Sequence, residues 1–529
     1  MSESATQTPT QTCENKESEY PEICPCDLPG NSCHETRGSW EGENGKIDYK
    51  ATVGTIQIDT PKVKPACSVF YVAYQACDED GNTDQKRPVT FVFNGGPGGD
   101  SSMLLMGSFA PQRIYLPDVD PGHGAPYELQ QNNPFCLLPA TDLVFIDAPG
   151  TGWSMIATKA QKELWSVDGD RNGFSQFIMR WCSANRRWNS PKYLIGESYG
   201  TTRASLLTLQ MQTDGIALTG AALLSNILDY SYNFDANDQF YIGYFPTYAM
   251  IAQYHGRAGK GKTAQEWAQE AREFADVYRT VLARGAQLTD DVLEATAEKY
   301  SEMTGLLKTY VKHADLRVPD TRFRKQLLLD EEKIVGRYDG RVAGYDQDQC
   351  AAAETFIVDA AYISPGYHAL CESYLRDQLG YDTDMLRNMF ATFVYNPDPT
   401  AGWNWLHVNP ANTKGDEWGF RPFPNTLDDL ATAIKQEPDL KIMLGNGYYD
   451  MATPFHQTEY DIDHIGLPKP LAQNIAFKYY PSGHMIYTND EALTKLHHDM
   501  LEFYATPTRD MPKFNERPQA KPLELSQLK

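Results

Sequence analysis

The sequence predicts an α/β fold: a central, mostly parallel sheet flanked by helices, with a helical cap insertion. Three observations lead there. Val89–Phe93, Leu143–Ile146 and Tyr193–Ile195 are compact apolar runs that each end in a turn rich in Gly or Pro, the mark of strands buried on both faces. Helical patterns over Gly173–Trp188 and Thr201–Gln212 bracket the third run, and strand–helix–strand order implies parallel pairing. Apolar runs return at Lys441–Leu444 and Ile475–Tyr479, so one sheet resumes after a long detour.

Taken in order, residues 1–45 are rich in Glu, Pro, Thr and Cys without periodicity and read as an N-terminal extension. The alternation Ile47, Tyr49, Ala51, Val53, then Ile56, Ile58, then Val69, Tyr71, Ala73 suggests antiparallel strands opening the sheet. These strands, the three apolar runs and a further strand at Ala221–Ser225 make residues 46–229 the first part of the core. Residues 230–435 read as the cap insertion, with helices over Thr263–Arg284 and Asp290–Lys308 and aromatics scattered through 227–254 and 393–420. Residues 436–505 complete the core and end in a helix over Asp490–Tyr504. Residues 506–529 form a C-terminal tail, rich in Pro and charge, expected to wrap the surface.

Composition narrows the function. The 529 residues hold 47 Lys+Arg against 70 Asp+Glu, a formal net charge of −23. Nucleic-acid phosphate and anionic membrane surfaces both need concentrated basic charge, so neither is expected as a partner. No apolar run is long enough to span a bilayer. The polar, acidic N-terminus has neither a basic start nor an apolar stretch; it predicts a cytoplasmic location, or a periplasmic or secreted one had a leader been removed. Ten cysteines are too few for a disulfide scaffold. Cys24-Pro25-Cys26 and Cys33-His34 do not fit the ligand spacing of structural zinc and read as a loop thiol cluster.

The strongest local signal is Gly196-Glu197-Ser198-Tyr199-Gly200, a G-x-S-x-G placed after an apolar strand and before a helix. That context is what a nucleophile elbow requires: the glycines relieve a sharp turn that holds the Ser hydroxyl above the sheet. A hydroxyl needs a base within reach. Asp450 follows the strand at 441–444 and His484 the strand at 475–479, both in loops at the C-terminal strand ends where catalytic groups gather. Asp450 would orient the His484 imidazole, and His484 would take the Ser198 proton and return it to the leaving group. His456 is the rival base; Asp461 and Asp463 are the rival acids. The Gly-rich Asn94–Gly99 follows the strand at 89–93 and lets backbone approach a substrate closely, as an oxyanion hole demands. Pro97 and the register argue against a dinucleotide loop.

These residues resemble the serine carboxypeptidase family of the α/β-hydrolases. Asn94–Gly98 is similar to its N-G-G-P-G loop, Asp147–Ser154 to its D-x-P-x-G-T-G-[FY]-S block, Gly196–Gly200 to its G-E-S-Y-[AG] elbow and Gly483-His484-Met485 to its G-H-M block. Segments 46–75 and 88–208 look more like the bacterial branch than the yeast or plant enzymes. The resemblance implies Ser198 as nucleophile, His484 as base and Asp450 as acid. It also implies Gly96 and Tyr199 as oxyanion N–H donors, with Asn94, Gly95 and Glu197 binding substrate through its terminal carboxylate. Glu197 against that carboxylate would share a proton and favour acidic working pH. Two departures stand out. Ser108, in Ser108-Phe109-Ala110-Pro111, takes the position of a second Glu in the family's secreted members, and Gly99-Asp100 replaces a family Cys with one residue extra.

The implied activity is release of C-terminal residues from peptides through an acyl-enzyme, without metal or organic cofactor. The alternative is an esterase, amidase or acyltransferase on small acyl substrates with the same triad, suggested by Ser108 and by Tyr395, Trp403, Trp405 and Phe420 in the insertion. A catalytically silent binding protein would be expected to have lost a triad member, and all three are present.

Overall fold

The computed structural model describes residues 22–42, 45–116, 118–119, 124–232, 235, 237–391, 402–409, 420–421 and 423–518. Tyr395, named above, lies outside them, as does the side chain of Phe420.

Nine strands run through one sheet: β1 (Ser32–Gly42), β2 (Gly45–Ile58), β3 (Cys67–Ala76), β4 (Val89–Phe93), β5 (Asp142–Ile146), β6 (Lys192–Ser198), β7 (Gly220–Asn226), β8 (Lys441–Gly447) and β9 (Ile475–Tyr480). Their order is β1-β2-β3-β5-β4-β6-β7-β8-β9, and the short Met155–Ile156 strand pairs with β3. β1, β2 and β3 are antiparallel, and the rest pair in parallel from β5 to β9. The α/β-hydrolase fold is therefore present, with every parallel strand ending at the same edge.

β3 is buried along its whole length, because the sheet has an apolar core on each face. Val69, Tyr71 and Ala73 enter one, with Phe174 and Phe177 of α2 (Val167–Ala184). Phe70, Val72 and Tyr74 enter the other, beside Leu104 of α1 (Ser102–Gly107). Alternation in β3 thus sorts apolar residues between two cores rather than between core and water.

Residues 1–45, read above as an N-terminal extension, include a strand that the sequence did not signal. β1 lies within them and pairs with β2 from Ser32↔Thr55 to Gly42↔Gly45. Only Trp40 of β1 is buried, so hydrogen bonding to its neighbour, not an apolar stripe, makes it a strand.

α3 (Tyr199–Thr213) follows β6 directly. In the insertion, α4 (Asp238–Tyr254) is buried on nearly all sides. α5 (Ala264–Leu282) starts with a capping box between Thr263 and Glu266, the side-chain pairing that satisfies free N–H groups at a helix start. The helix expected to run to Lys308 stops earlier: α6 (Asp290–Thr304) ends at Gly305, whose φ of +73° is a left-handed cap. Phe245, Ala271, Tyr278 and Tyr300 from these helices join the same apolar cluster as Leu194 and Leu444 of the sheet, so the inserted helices share the core. α7 (Val358–Ser373) covers the other face, and α8 (Leu427–Gln436) leads into β8. After α9 (Phe455–Asp463) and α10 (Asp490–Ala505), the chain buries Met511 and Phe514 and donates from Glu516 N to Phe477 O of β9 at 2.9 Å. Each of the nine described cysteines is free. Among the described residues, no helix is long and apolar enough to cross a membrane.

Candidate active site

Ser198 sits where β6 turns into α3, with φ +60° and ψ −128°. Such a backbone is costly for a residue with a Cβ, and the surroundings must impose it. They do so by crowding. A Cβ on Gly196 would lie 2.1 Å from Gly200 O, and one on Gly200 would lie 2.8 Å from Phe93 O. A larger residue at either place would push the turn off the sheet. Gly95 meets the same turn: its Cβ would lie 2.4 Å from Tyr199 N. The Gly-rich loop therefore lies against the N-terminus of α3, where backbone N–H groups are unpaired by the helix itself.

Arg203 fixes this contact from behind. It is fully buried, donates through Nη1 to Asn94 O at 2.7 Å and pairs through Nε with Asp170 Oδ2 at 2.6 Å. Its guanidinium lies 4.2 Å from the Phe174 ring centroid.

His484 lies beyond β9. Its Nδ1 is 2.8 Å from Asp450 Oδ2. Asp450, with no exposure, also accepts from Ala452 N (2.7 Å), Thr453 N (2.9 Å) and Thr453 Oγ1 (2.7 Å). These donors pin the carboxylate and leave it as acceptor to the ring. Burial opposes protonation of His484, but the Asp450 charge and hydrogen bond outweigh it and raise the imidazole above its usual 6.5. The backbone is held as well: His484 N donates to Tyr338 O at 2.5 Å, and Ser225 Oγ donates to His484 O at 2.5 Å. The Tyr338 ring lies 5.4 Å from the imidazole.

Ser198, His484, Asn94, Gly95, Gly96 and Glu197 line one cleft of about 450 Å³. Asp450 lies buried behind His484. Tyr199 contributes backbone near the cleft, while its ring packs 5.4 Å from Trp403 and 6.2 Å from Trp405. Those tryptophans thus support the elbow from outside the cleft. The rivals are elsewhere: His456 pairs with Glu459 at 2.7 Å, Asp461 accepts from Gln457 at 2.8 Å, and Asp463 pairs with Arg517 at 2.7 Å on the surface. Cys24 and Cys26 flank an exposed turn, apart from Cys33 and His34 on β1.

Glu197 is buried against the cleft. Its Oε1 accepts from Asn94 Nδ2 at 2.7 Å and from Tyr487 OH at 3.2 Å. Its Oε2 is buried with no hydrogen-bond partner. Burial pushes this carboxyl from the usual 4.5 up to about 7, against the pull of His484 and the two hydrogen bonds. Ser108 does not take the place of a second carboxyl here, because its Oγ donates to Leu104 O at 2.6 Å. Tyr487 faces Glu197 instead.

Sequence reasoning passed over several residues that build the site. Arg387 is buried between Asp100 (2.9 Å) and Asp147 (2.7 Å). The strand-like segment it begins bonds to the Gly-rich loop through Asp100 N to Met389 O (2.9 Å) and Ala391 N to Gly98 O (2.8 Å). Asp100 is thus one half of an ionic tie. Only the Gly-His-Met block hinted at Tyr487, and nothing in the sequence pointed to Arg337, Tyr338 or Arg387.

The fold is similar to that of Kex1(delta)P, a prohormone-processing carboxypeptidase from Saccharomyces cerevisiae, at 14% identity over 92% of this chain and 94% of that one, with a TM-score of 0.50. A proline iminopeptidase from Mycobacterium smegmatis is more distant, at 12% identity, 83% and 95% coverage and a TM-score of 0.34. A comparison with curated protein sequences returns no match. The profile of the serine carboxypeptidase family matches residues 44–329, more than half of the chain and a span that includes the Gly-rich loop, the Asp147–Ser154 block and the elbow, and by that match the chain belongs to the serine carboxypeptidase family.

Proposed function

We propose that the chain releases C-terminal residues from peptides through an acyl-enzyme on Ser198. The observation that carries this reading is the strained Ser198 backbone at the strand–helix turn, on the same cleft as an imidazole held at Nδ1 by buried Asp450. Strain of this kind is kept where it serves a reaction.

In this reading His484 takes the Ser198 proton at Nε2 as Oγ attacks the scissile carbonyl. The imidazolium that forms is stabilised by Asp450. The N–H groups of Gly96 and Tyr199 receive the oxyanion. His484 returns the proton to the leaving amine, and water then releases the acyl group by the same steps reversed. Asn94 and Glu197 hold the terminal carboxylate of the leaving residue. Protonated at Oε2, Glu197 donates to that carboxylate, and the Tyr487–Glu197 contact stands in for a pair of glutamates. The bacterial-type character of segments 46–75 and 88–208 is part of the same proposal.

A peptide-library digest read by mass spectrometry tests it. The expected product is a ladder shortened from the C-terminus, with amidated peptides left intact. Ser198→Ala should abolish both turnover and fluorophosphonate labelling with the fold intact. Full activity in that variant, or cuts within the chain, would overturn the proposal. Equal turnover of free-acid and amidated peptides would favour an esterase, amidase or acyltransferase.

A further inference from the structure

The buried arginines of this protein are paired. Arg187 meets Asp142 at 2.6 Å, Arg203 meets Asp170, Arg324 meets Asp320 at 2.9 Å, Arg341 meets Asp339, and Arg387 lies between two carboxylates. An unpaired guanidinium withdrawn from water is costly, so pairing is the rule. Arg337 is only half-buried and stands outside that rule. It lines the cleft with Ser198 and His484, and among the described residues no carboxylate lies within ion-pair distance of it. Its guanidinium is 5.5 Å from the centroid of the Tyr338 ring, an aromatic face that a cation can lie over without neutralisation.

Its backbone is fixed on both sides. Arg337 O accepts from Met451 N at 3.1 Å, Arg337 N donates to Asp359 Oδ1 at 3.3 Å, and the next residue accepts from His484 N. The bond to Met451 sets Arg337 beside the acid loop, whose Ala452 and Thr453 line the cleft together with Tyr230. Asn94 and Glu197 line it too, with Tyr487 bonded to Glu197. On the reading proposed above, the leaving residue's carboxylate lies against Glu197, and the residue that acylates Ser198 extends toward Arg337.

We infer that Arg337 selects an acidic side chain, Asp or Glu, in the residue immediately upstream of the scissile bond. A guanidinium forks onto a carboxylate with two parallel hydrogen bonds, and a substrate carboxylate supplies the direct partner where the chain offers only the more distant Asp320 and Asp450. Arg337 would then be a local cationic anchor in a protein of net charge −23.

The test rests on matched peptides Ac-Glu-Phe and Ac-Gln-Phe. Wild type should show a Glu-to-Gln ratio of kcat/KM of about tenfold or more, the size of one charge-assisted contact. Arg337→Met should bring the ratio near one, and Arg337→Lys should keep part of it. Dissociation constants of the same peptides for Ser198→Ala, with and without Arg337→Met, give a second readout free of turnover. A wild-type ratio near one in both readouts overturns the inference, as does a ratio unmoved by Arg337→Met. No turnover of either peptide, with tenfold tighter binding of Ac-Glu-Phe that depends on Arg337, overturns the proposed activity and leaves the anchor standing.

Discussion

Replacing Glu197 with Gln removes one ionisable proton from the cleft and keeps the shape. Oε1 can still accept from Asn94 and Tyr487, and the new amide nitrogen falls where Oε2 is buried without a partner. Because burial raises the Glu197 carboxyl to about 7, the folded protein holds this proton more tightly than the unfolded chain does. The stability so contributed is complete below the unfolded value near 4.5, falls as pH rises, and is gone above about 7. At roughly 1.4 kcal/mol for each pH unit between those values, the loss is about 3 kcal/mol. Groups that do not interact with Glu197 titrate alike in both proteins and cancel in the comparison. Urea unfolding at pH 5 and pH 8 should therefore show wild type losing about 3 kcal/mol more than Glu197→Gln. The kinetic counterpart is KM for a free-acid peptide. It should rise about tenfold per pH unit above 7 in wild type, as ionised Glu197 meets a second carboxylate, and stay flat in Glu197→Gln. Parallel pH profiles in stability and in KM would refute the argument.

Three further predictions concern Asp450, Arg387 and Tyr487. Asp450→Asn should cut kcat by about 10⁴ with the fold retained, because an amide in that place turns the His484 ring to the wrong tautomer; circular dichroism and steady-state kinetics check it. Arg387→Met should destabilise by about 3–5 kcal/mol at pH 8, since it strands the buried Asp100 and Asp147 carboxylates. Burial raises Asp147 to about 6, so the loss in urea unfolding should shrink at pH 5, where that carboxyl is neutral. Tyr487→Phe removes a donor to the charged form of Glu197 and should move the rise in KM to higher pH.

What the sequence made legible was local. The elbow could be read because its two glycines answer to contacts within five residues and along the adjacent strand, Gly196 against Gly200 and Gly200 against Phe93. β4, β5 and β6 carry compact apolar runs because both faces of the sheet are covered. β1 escaped notice because SCHETRGSWEG has no apolar period; its strand geometry comes from β2. The break at Gly305 needed the left-handed cap to be weighed above the helical pattern on either side. Arg337, Tyr338 and Arg387 escaped because they lie in irregular stretches of the insertion and owe their position to partners far away in the chain, such as His484 and Asp100.

The insertion is therefore more than a cover added to a finished enzyme. It supplies the Tyr338 carbonyl that anchors the His484 backbone, the Arg387 tie that holds the Gly-rich loop, and a cation lining the cleft. Its helices share an apolar cluster with the sheet, so loosening them would disturb the site through packing as well as through these contacts. The elbow, the loop and the His–Asp pair come from the sheet, and on the proposed function they set which bond is broken. The residues facing them come from the insertion, and on the same proposal they set which peptide is presented. On that division, substitutions at Arg337 should change the choice among substrates, whereas substitutions at Asp450 should lower turnover of all of them.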